Sequence, residues 1–271
     1  MVRPAGRRRA RLSYPAAVLV AAAFAPHPPL IVPEVAAGAA GELDGLRAAG
    51  AAAVRRLAAT RPDRVVVVGA GPPPARRWDG VDAGSLAGYG VARTVPLGPG
   101  AGGGLAPGLP PMPLSATVGA WLLQQAGYAG PRYAVTVPAG ATDAELAGWA
   151  GRILGGGGGG GAEVGGADLG GDRVGLLVMG DGSARRSTAA PGHLDSRAAG
   201  FDARVAGALR EADPAALSSL DPALGAELLA AGVPAWRLAG QAAAAAGPFE
   251  AELLYDYAPY GVGYLVAVWL T

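Results

Sequence analysis

The run Arg64 to Gly69, RVVVVG, is unbroken by any polar residue after its first position and ends in glycine. A strand with one wet face alternates polar and apolar residues, whereas a continuous β-branched run belongs in a sheet covered on both faces, the usual setting of parallel strands. Two further stretches read the same way, residues 17–25 (AVLVAAAFA) and Val174 to Met179 (VGLLVM). Between the first two, residues 42–60 place Leu43, Leu46, Ala53, Val54 and Leu57 at near-helical spacing and stop before Pro62. Strand, helix and strand in that order form a parallel unit.

The pattern continues along the chain. A helix is expected over 114–127, a strand over Tyr133 to Val137, and a helix from Thr142, where Thr142 and Glu145 have the spacing of a capping box. After the strand at 174–179, helices are expected near 198–211, from Asp221-Pro222, and over 235–246. Glu250 to Tyr257 and Gly263 to Trp269 close the chain as two strands joined by Ala258-Pro259-Tyr260-Gly261. The expected fold is α/β, with a central mixed, mostly parallel sheet flanked by helices and closed by an antiparallel strand pair. Residues 1–17 read as a disordered basic extension. Residues 18–271 read as one domain with flexible inserts at 98–113, rich in Gly and Pro, and at 155–161, seven consecutive glycines.

Gly and Pro together, 46 and 24 of 271 residues, reach a level at which disorder has to be considered. A hydrophobic fraction of 51% and a mean hydropathy of +0.29 oppose it, because such a chain can bury a core. A net charge of +1 with no basic stripe gives no reason to expect a nucleic-acid partner. The absence of Cys removes disulfides, thiolate nucleophiles and every cysteine zinc site. With 2 His, a three-His metal site is excluded and a two-His site must use both His27 and His193.

The Arg-rich start followed by the apolar run at 16–25 has the outline of a signal peptide, and Ala23-Phe24-Ala25 resembles a cleavage site. The run flows directly into Pro26-His27-Pro28-Pro29-Leu30, which favours a buried first strand and a cytoplasmic protein. Ten apolar residues are too few to span a bilayer, so no membrane partner is expected.

Gly69-Ala70-Gly71 follows a strand but leads into three prolines, so it lacks the helix N-terminus that a phosphate needs. Gly182-Ser183-Ala184 lacks the G-x-S-x-G turn of a hydrolase nucleophile, which weakens a triad of Ser183, His193 and Asp181. Three places remain where polar residues follow buried strands. They are His27 with Glu34, then Asp181 with Ser183, Arg185, Arg186 and His193, and then the closing pair. In the last, Glu250, Glu252 and Asp256 are expected on one strand face and Tyr255 and Tyr257 on the other.

Taken together, P-H-P-P-L-x-V-P-E (Pro26 to Glu34), G-D-x-S (Gly180 to Ser183) with Phe201-Asp202, and Y-D-x-x-P-Y-G-V-G-Y-x-V-A (Tyr255 to Ala267) resemble the superfamily of class III extradiol ring-cleavage dioxygenases, of which this chain would be a divergent member. The resemblance runs from about Val18 to Trp269. It implies non-haem Fe(II) held by two His and one carboxylate, with open positions for a catechol-type aromatic substrate and O₂. It also implies a further His as acid and base.

Carried over residue by residue, His27 matches the first metal His, and Glu252, then Asp256, would supply the carboxylate. Asp181, Ser183 and Arg185 would face the substrate, with His193 as the remaining imidazole for catalysis. The sequence departs from the family where the second metal His would stand, at Gly69-Ala70-Gly71-Pro72, and where the acid/base His would follow Ser183, which is Ala184 here. Two expectations follow: a ring-cleaving dioxygenase with altered or lost activity, or a non-catalytic protein binding a small molecule or partner on the same fold. A homo-oligomer or a small companion subunit is compatible with either.

Overall fold

A computed structural model describes residues 17–99, 110–155 and 172–271. The basic extension before Ala17, the interior of the first insert and all but the first glycine of the second lie outside the described residues.

The chain begins with β1 (Val18–Ala25), passes through α1 (Pro33–Ala36) and α2 (Asp44–Ala59), and returns as β2 (Arg64–Ala70). Three short strands follow, β3 (Arg76–Trp78), β4 (Ala83–Ser85) and β5 (Thr94–Pro96), and then α3 (Leu114–Gln125). Next come β6 (Arg132–Val137), α4 (Asp143–Leu154) and β7 (Arg173–Met179). Four helices succeed them: α5 (Ala198–Glu211), α6 (Pro214–Ser218), α7 (Pro222–Glu227) and α8 (Val233–Ala243). The last elements are β8 (Glu250–Tyr257) and β9 (Tyr264–Leu270).

Seven strands form one sheet in the order β3-β6-β2-β7-β1-β9-β8. The inner pairs β6/β2, β2/β7 and β7/β1 are parallel, and β3/β6, β1/β9 and β9/β8 are antiparallel. The mixed α/β architecture is therefore the one read from the sequence. Strands β4 and β5 form a separate two-stranded ribbon that packs near α3.

The continuous apolar runs are explained by two cores, one on each face of the sheet. Val65 and Val67 of β2, with Leu177 and Met179 of β7, face Leu46, Val54 and Leu57 of α2 and Leu122 of α3. Val66 and Val68, with Leu176 and Val178, face Leu146 of α4, Phe201 and Val205 of α5, and Trp236 of α8. The alanines of β1 leave room on both faces. Phe24 fills part of that space by packing its ring 4.8 Å from Trp269, whose indole N–H donates to the Leu209 carbonyl at 2.7 Å.

Local signals act as expected at several helix ends. The Thr142 hydroxyl accepts the Glu145 amide while the Glu145 carboxylate accepts the Thr142 amide. Asp221 caps α7 with Pro222 at its first position. The helix expected over 235–246 begins earlier, at Val233, with Pro234 in its first turn.

One expectation about the closing strands is corrected. The register of β8 on β9 shifts between Leu253 and Tyr255, a bulge that reverses the inward and outward alternation. Glu252 consequently meets Arg56 on the α2 face, whereas Asp256 lies on the opposite face near Arg210 of α5. The acids do not share one strand face.

The connections single out one end of the sheet. β1 and β2 lead out toward the α2/α3 face, and β7, which lies between them, leads out toward the face of α4, α5 and α8. Strands whose exits diverge leave a crevice at their carboxyl ends, where open α/β sheets place ligands. His27 and Asp181 follow the two strands that flank one such crevice.

Candidate functional site

The turn after β1 sets His27 between two prolines, and the residue is only 6% exposed. Its backbone N–H donates to Asp181 Oδ1 at 2.7 Å. Its Nδ1 lies 3.6 Å from the same oxygen, beyond hydrogen-bond distance, and has no partner among the described residues. A buried ring nitrogen left without a partner is costly, which makes this position a candidate for bonding to a group outside the described residues.

Asp181 is held in place by its neighbours. Gly180 extends the ladder by donating to the Ala25 carbonyl at 2.9 Å, and the Asp181 carbonyl accepts the Gly232 amide at 2.8 Å. A Cβ at Gly180 would stand 2.7 Å from the Gly232 Cα, so only glycine lets β7 end this close to the start of α8.

Tyr264, the first residue of β9, completes this part of the edge. Burial pushes its hydroxyl pKa far up, and the nearby charge of Asp181 adds to the shift, so the phenol stays protonated and able to donate. Tyr260, in the turn before it, has a φ of 57° and donates its hydroxyl to Glu42 at 2.6 Å. That bond raises the Tyr260 pKa and ties the closing turn to the segment before α2.

The turn after β7 is bonded differently. Ser183 is fully buried; its hydroxyl donates to the Leu228 carbonyl at 2.9 Å and accepts the Arg185 amide at 3.1 Å. Asp202, on α5, accepts the Ser183 amide at 2.8 Å and the Arg186 guanidinium at 2.8 Å. Burial pushes the Asp202 pKa up even though both of those bonds pull it down. The Arg186 amide donates to the Gly261 carbonyl, and Gly182 and Gly263 lie so close to Asp202 that a side chain on either would collide with its carboxylate. Ser183 and Asp202 thus lock the loop after β7 against the closing turn.

The other sequence candidates lie elsewhere. Glu252 is exposed and paired with Arg56 at 2.6 Å, and Asp256 is 4.0 Å from Arg210. Glu34 is paired with Arg93. His193 is exposed, adopts a φ of 57°, and makes no side-chain hydrogen bond among the described residues. Arg185 keeps its Nε buried without a partner there.

Farther along the same edge, at the end of β2, an apolar groove of about 360 Å³ is lined by Ala70, Ala139, Gly225, Leu229, Val233 and Pro234 among others. The segment forming one wall is the one that receives the Ser183 hydroxyl and the Asp181 carbonyl contact.

Glu42 and the groove were not singled out from the sequence, and Tyr264 stood there only as a motif position with no role assigned. It could have been singled out, because the first residue of a strand antiparallel to β1 stands beside the last residues of β1. Glu42 and the groove depend on contacts distant in sequence and leave no local mark.

The residues present do not fit the iron site that the resemblance implies. His27 has Asp181 beside it, but Glu252, the first carboxylate expected, pairs with Arg56 at 2.6 Å, and Asp256, the alternative, lies 4.0 Å from Arg210 on the opposite face of the strand. Among the described residues no group of three or more His, Asp or Glu side chains is arranged to hold a metal ion. Among them, too, no helix is long and apolar enough to cross a membrane.

No family model and no curated protein matches the chain. Among solved structures, the crystal structure of the uncharacterized protein JW3007 from Escherichia coli K12 is similar at 13% identity and a TM-score of 0.41, covering 93% of this chain and 100% of that one.

Proposed function

We propose that this chain is a small-molecule-binding protein whose ligand, an aromatic or otherwise largely apolar molecule with a polar group, sits at the carboxyl edge of the sheet. Catechol-type diols are the first candidates, from the resemblance to class III extradiol dioxygenases. The observation that carries the reading is the buried Nδ1 of His27, unpartnered and 3.6 Å from the Asp181 carboxylate. A ligand hydroxyl that displaced the atoms now covering Nδ1 would exchange hydrogen bonds with the imidazole and the carboxylate, and the Tyr264 phenol is a further donor nearby. The apolar groove at the end of β2, whose lining does not include His27 or Asp181, is the candidate place for the apolar rest of the molecule.

Ring cleavage is not proposed, because the donor set around His27 and Asp181 lacks the second imidazole. A cytoplasmic location fits the binding reading, since cleavage after Ala25 would remove β1, which pairs with both β7 and β9.

The test is iron content together with oxygen uptake on catechol and protocatechuate, alongside calorimetric titration of the same diols. Diol binding without oxygen uptake, lost in His27→Ala, is the expected result. Near-stoichiometric iron, lost in His27→Ala, together with yellow ring-fission products would replace this reading with the dioxygenase one. Absence of any diol binding would remove the ligand class.

A further inference from the structure

The loop after β7 holds three arginines, and two of them have carboxylate partners. Arg186 donates to Asp202 at 2.8 Å, and Arg197 pairs with Asp195 at 2.7 Å and with Glu227 at 2.6 Å. Arg185 has none. Among the described residues its guanidinium makes no hydrogen bond or ion pair, and its Nε is buried without an acceptor. A half-buried cation that lacks a counter-ion and carries a buried, unpaired N–H is costly to the folded chain.

The backbone fixes where this arginine stands. Its amide donates to the Ser183 hydroxyl at 3.1 Å, its carbonyl accepts the Asp195 amide at 3.0 Å, and the preceding Ala184 amide donates to the Leu228 carbonyl at 3.2 Å. The stem lies beside Leu229, because a Cβ at Gly192 would stand 2.7 Å from both the Arg185 Cγ and the Leu229 Cδ1. Leu229 is also a wall of the apolar groove at the end of β2, so Arg185 and the groove are neighbours across it. Leu229 is 46% exposed and has a φ of 53°. A large apolar side chain is thus held toward solvent on a backbone conformation that non-glycine residues rarely adopt, a combination found where a ligand is met.

We propose that the groove and Arg185 form one site for an aliphatic monocarboxylate of medium chain length, with the chain against Leu229, Val233 and Pro234 and the carboxylate on the Arg185 guanidinium. The groove holds about 360 Å³, toward the small end of ligand sites, and its lining carries no aromatic ring and no polar side chain. Such walls offer an aliphatic chain burial and dispersion, and offer an aromatic ring nothing to stack on. One guanidinium balances one negative charge and matches a carboxylate through two parallel N–H donors. A phosphate dianion there would keep a charge unmatched. The site goes beyond the diol reading and does not require it, since neither His27 nor Asp181 lines the groove.

Calorimetric titration of the full chain with sodium octanoate tests the proposal, with octanol supplying the chain without the charge and acetate the charge without the chain. Octanoate is expected to bind at least about tenfold tighter than either, the effect of a hydrogen-bonded charge. Arg185→Gln removes a guanidinium that bonds nothing among the described residues, so it should melt with the wild type and bind octanoate about 10- to 100-fold more weakly. Ala226→Trp, at an exposed position of the groove wall, should abolish octanoate binding with circular dichroism unchanged. His27→Ala should leave octanoate affinity as it is, so failure of diol binding with octanoate bound would remove the diol reading alone. Octanoate that binds no tighter than octanol or acetate would overturn the proposal, and so would full octanoate affinity in Arg185→Gln or in Ala226→Trp.

Discussion

The turns after β1 and after β7 lie side by side at the carboxyl edge of the sheet, and both carry polar residues that a sequence reader would nominate for a site. Beyond Asp181, which stands beside His27, their bonding differs. In the turn after β7, the hydroxyl and amide of Ser183 are bonded within the protein, as is the carboxylate of Asp202 on α5 that meets them, at 2.8 to 3.1 Å. In the turn after β1, the buried His27 ring keeps a nitrogen with no partner among the described residues. Polar residues at strand ends thus include some whose bonds complete the scaffold, as at Ser183, and some that keep a buried atom without a partner among the described residues, as at His27, and composition does not separate them.

The sharpest way to break this contrast is Asp202→Ala. It leaves the buried Ser183 amide unsatisfied and Arg186 without its carboxylate, and it should cost about 3 kcal/mol in denaturant unfolding. Ser183→Ala should cost about 1–2 kcal/mol, since the buried Leu228 carbonyl and Arg185 amide each lose a partner. A cost below a few tenths of a kcal/mol in both would show that the loop is not locked as described.

Asp202→Asn probes the same lock through pH. Burial raises the Asp202 pKa, so protonation favours the folded state. Stability from this group is full below its ordinary value of 3.8 and is lost as pH rises through the raised folded value. The Asn variant lacks that dependence. Its unfolding midpoint should gain on the wild type as pH rises through that window, and parallel curves would contradict the assignment.

The smallest stability effect is expected at the other turn. His27→Ala should change stability by less than about 1 kcal/mol, because an unpartnered buried nitrogen is removed along with ring packing that contributes the other way. It should nevertheless abolish diol binding, the reverse of the pattern at Ser183.

Much of the fold could be read from the sequence because Val65 to Val68 and Leu176 to Met179 announce strands covered on both faces, and Thr142, Glu145 and Asp221 announce helix starts. β3, β4 and β5 could not, since three residues carry no periodicity and β3 is fixed by distant contacts such as the Trp78 indole to Thr136 at 2.9 Å. The bulge in β8 depends on its pairing with β9, so Glu252 and Asp256 looked like neighbours on one face. His27 and Asp181 were both identified, but their proximity, and the inward use of Ser183 by a carbonyl 45 residues away, are properties of the folded chain.

The two histidines make the central claim directly measurable. In an imidazole-detected NMR spectrum the buried His27 and the exposed His193 give two separate spin systems, identified by His193→Ala. Titration with the diol that binds tightest should shift the His27 resonances progressively and leave those of His193 in place. An unmoved His27 signal in the presence of saturating bound ligand would contradict the account.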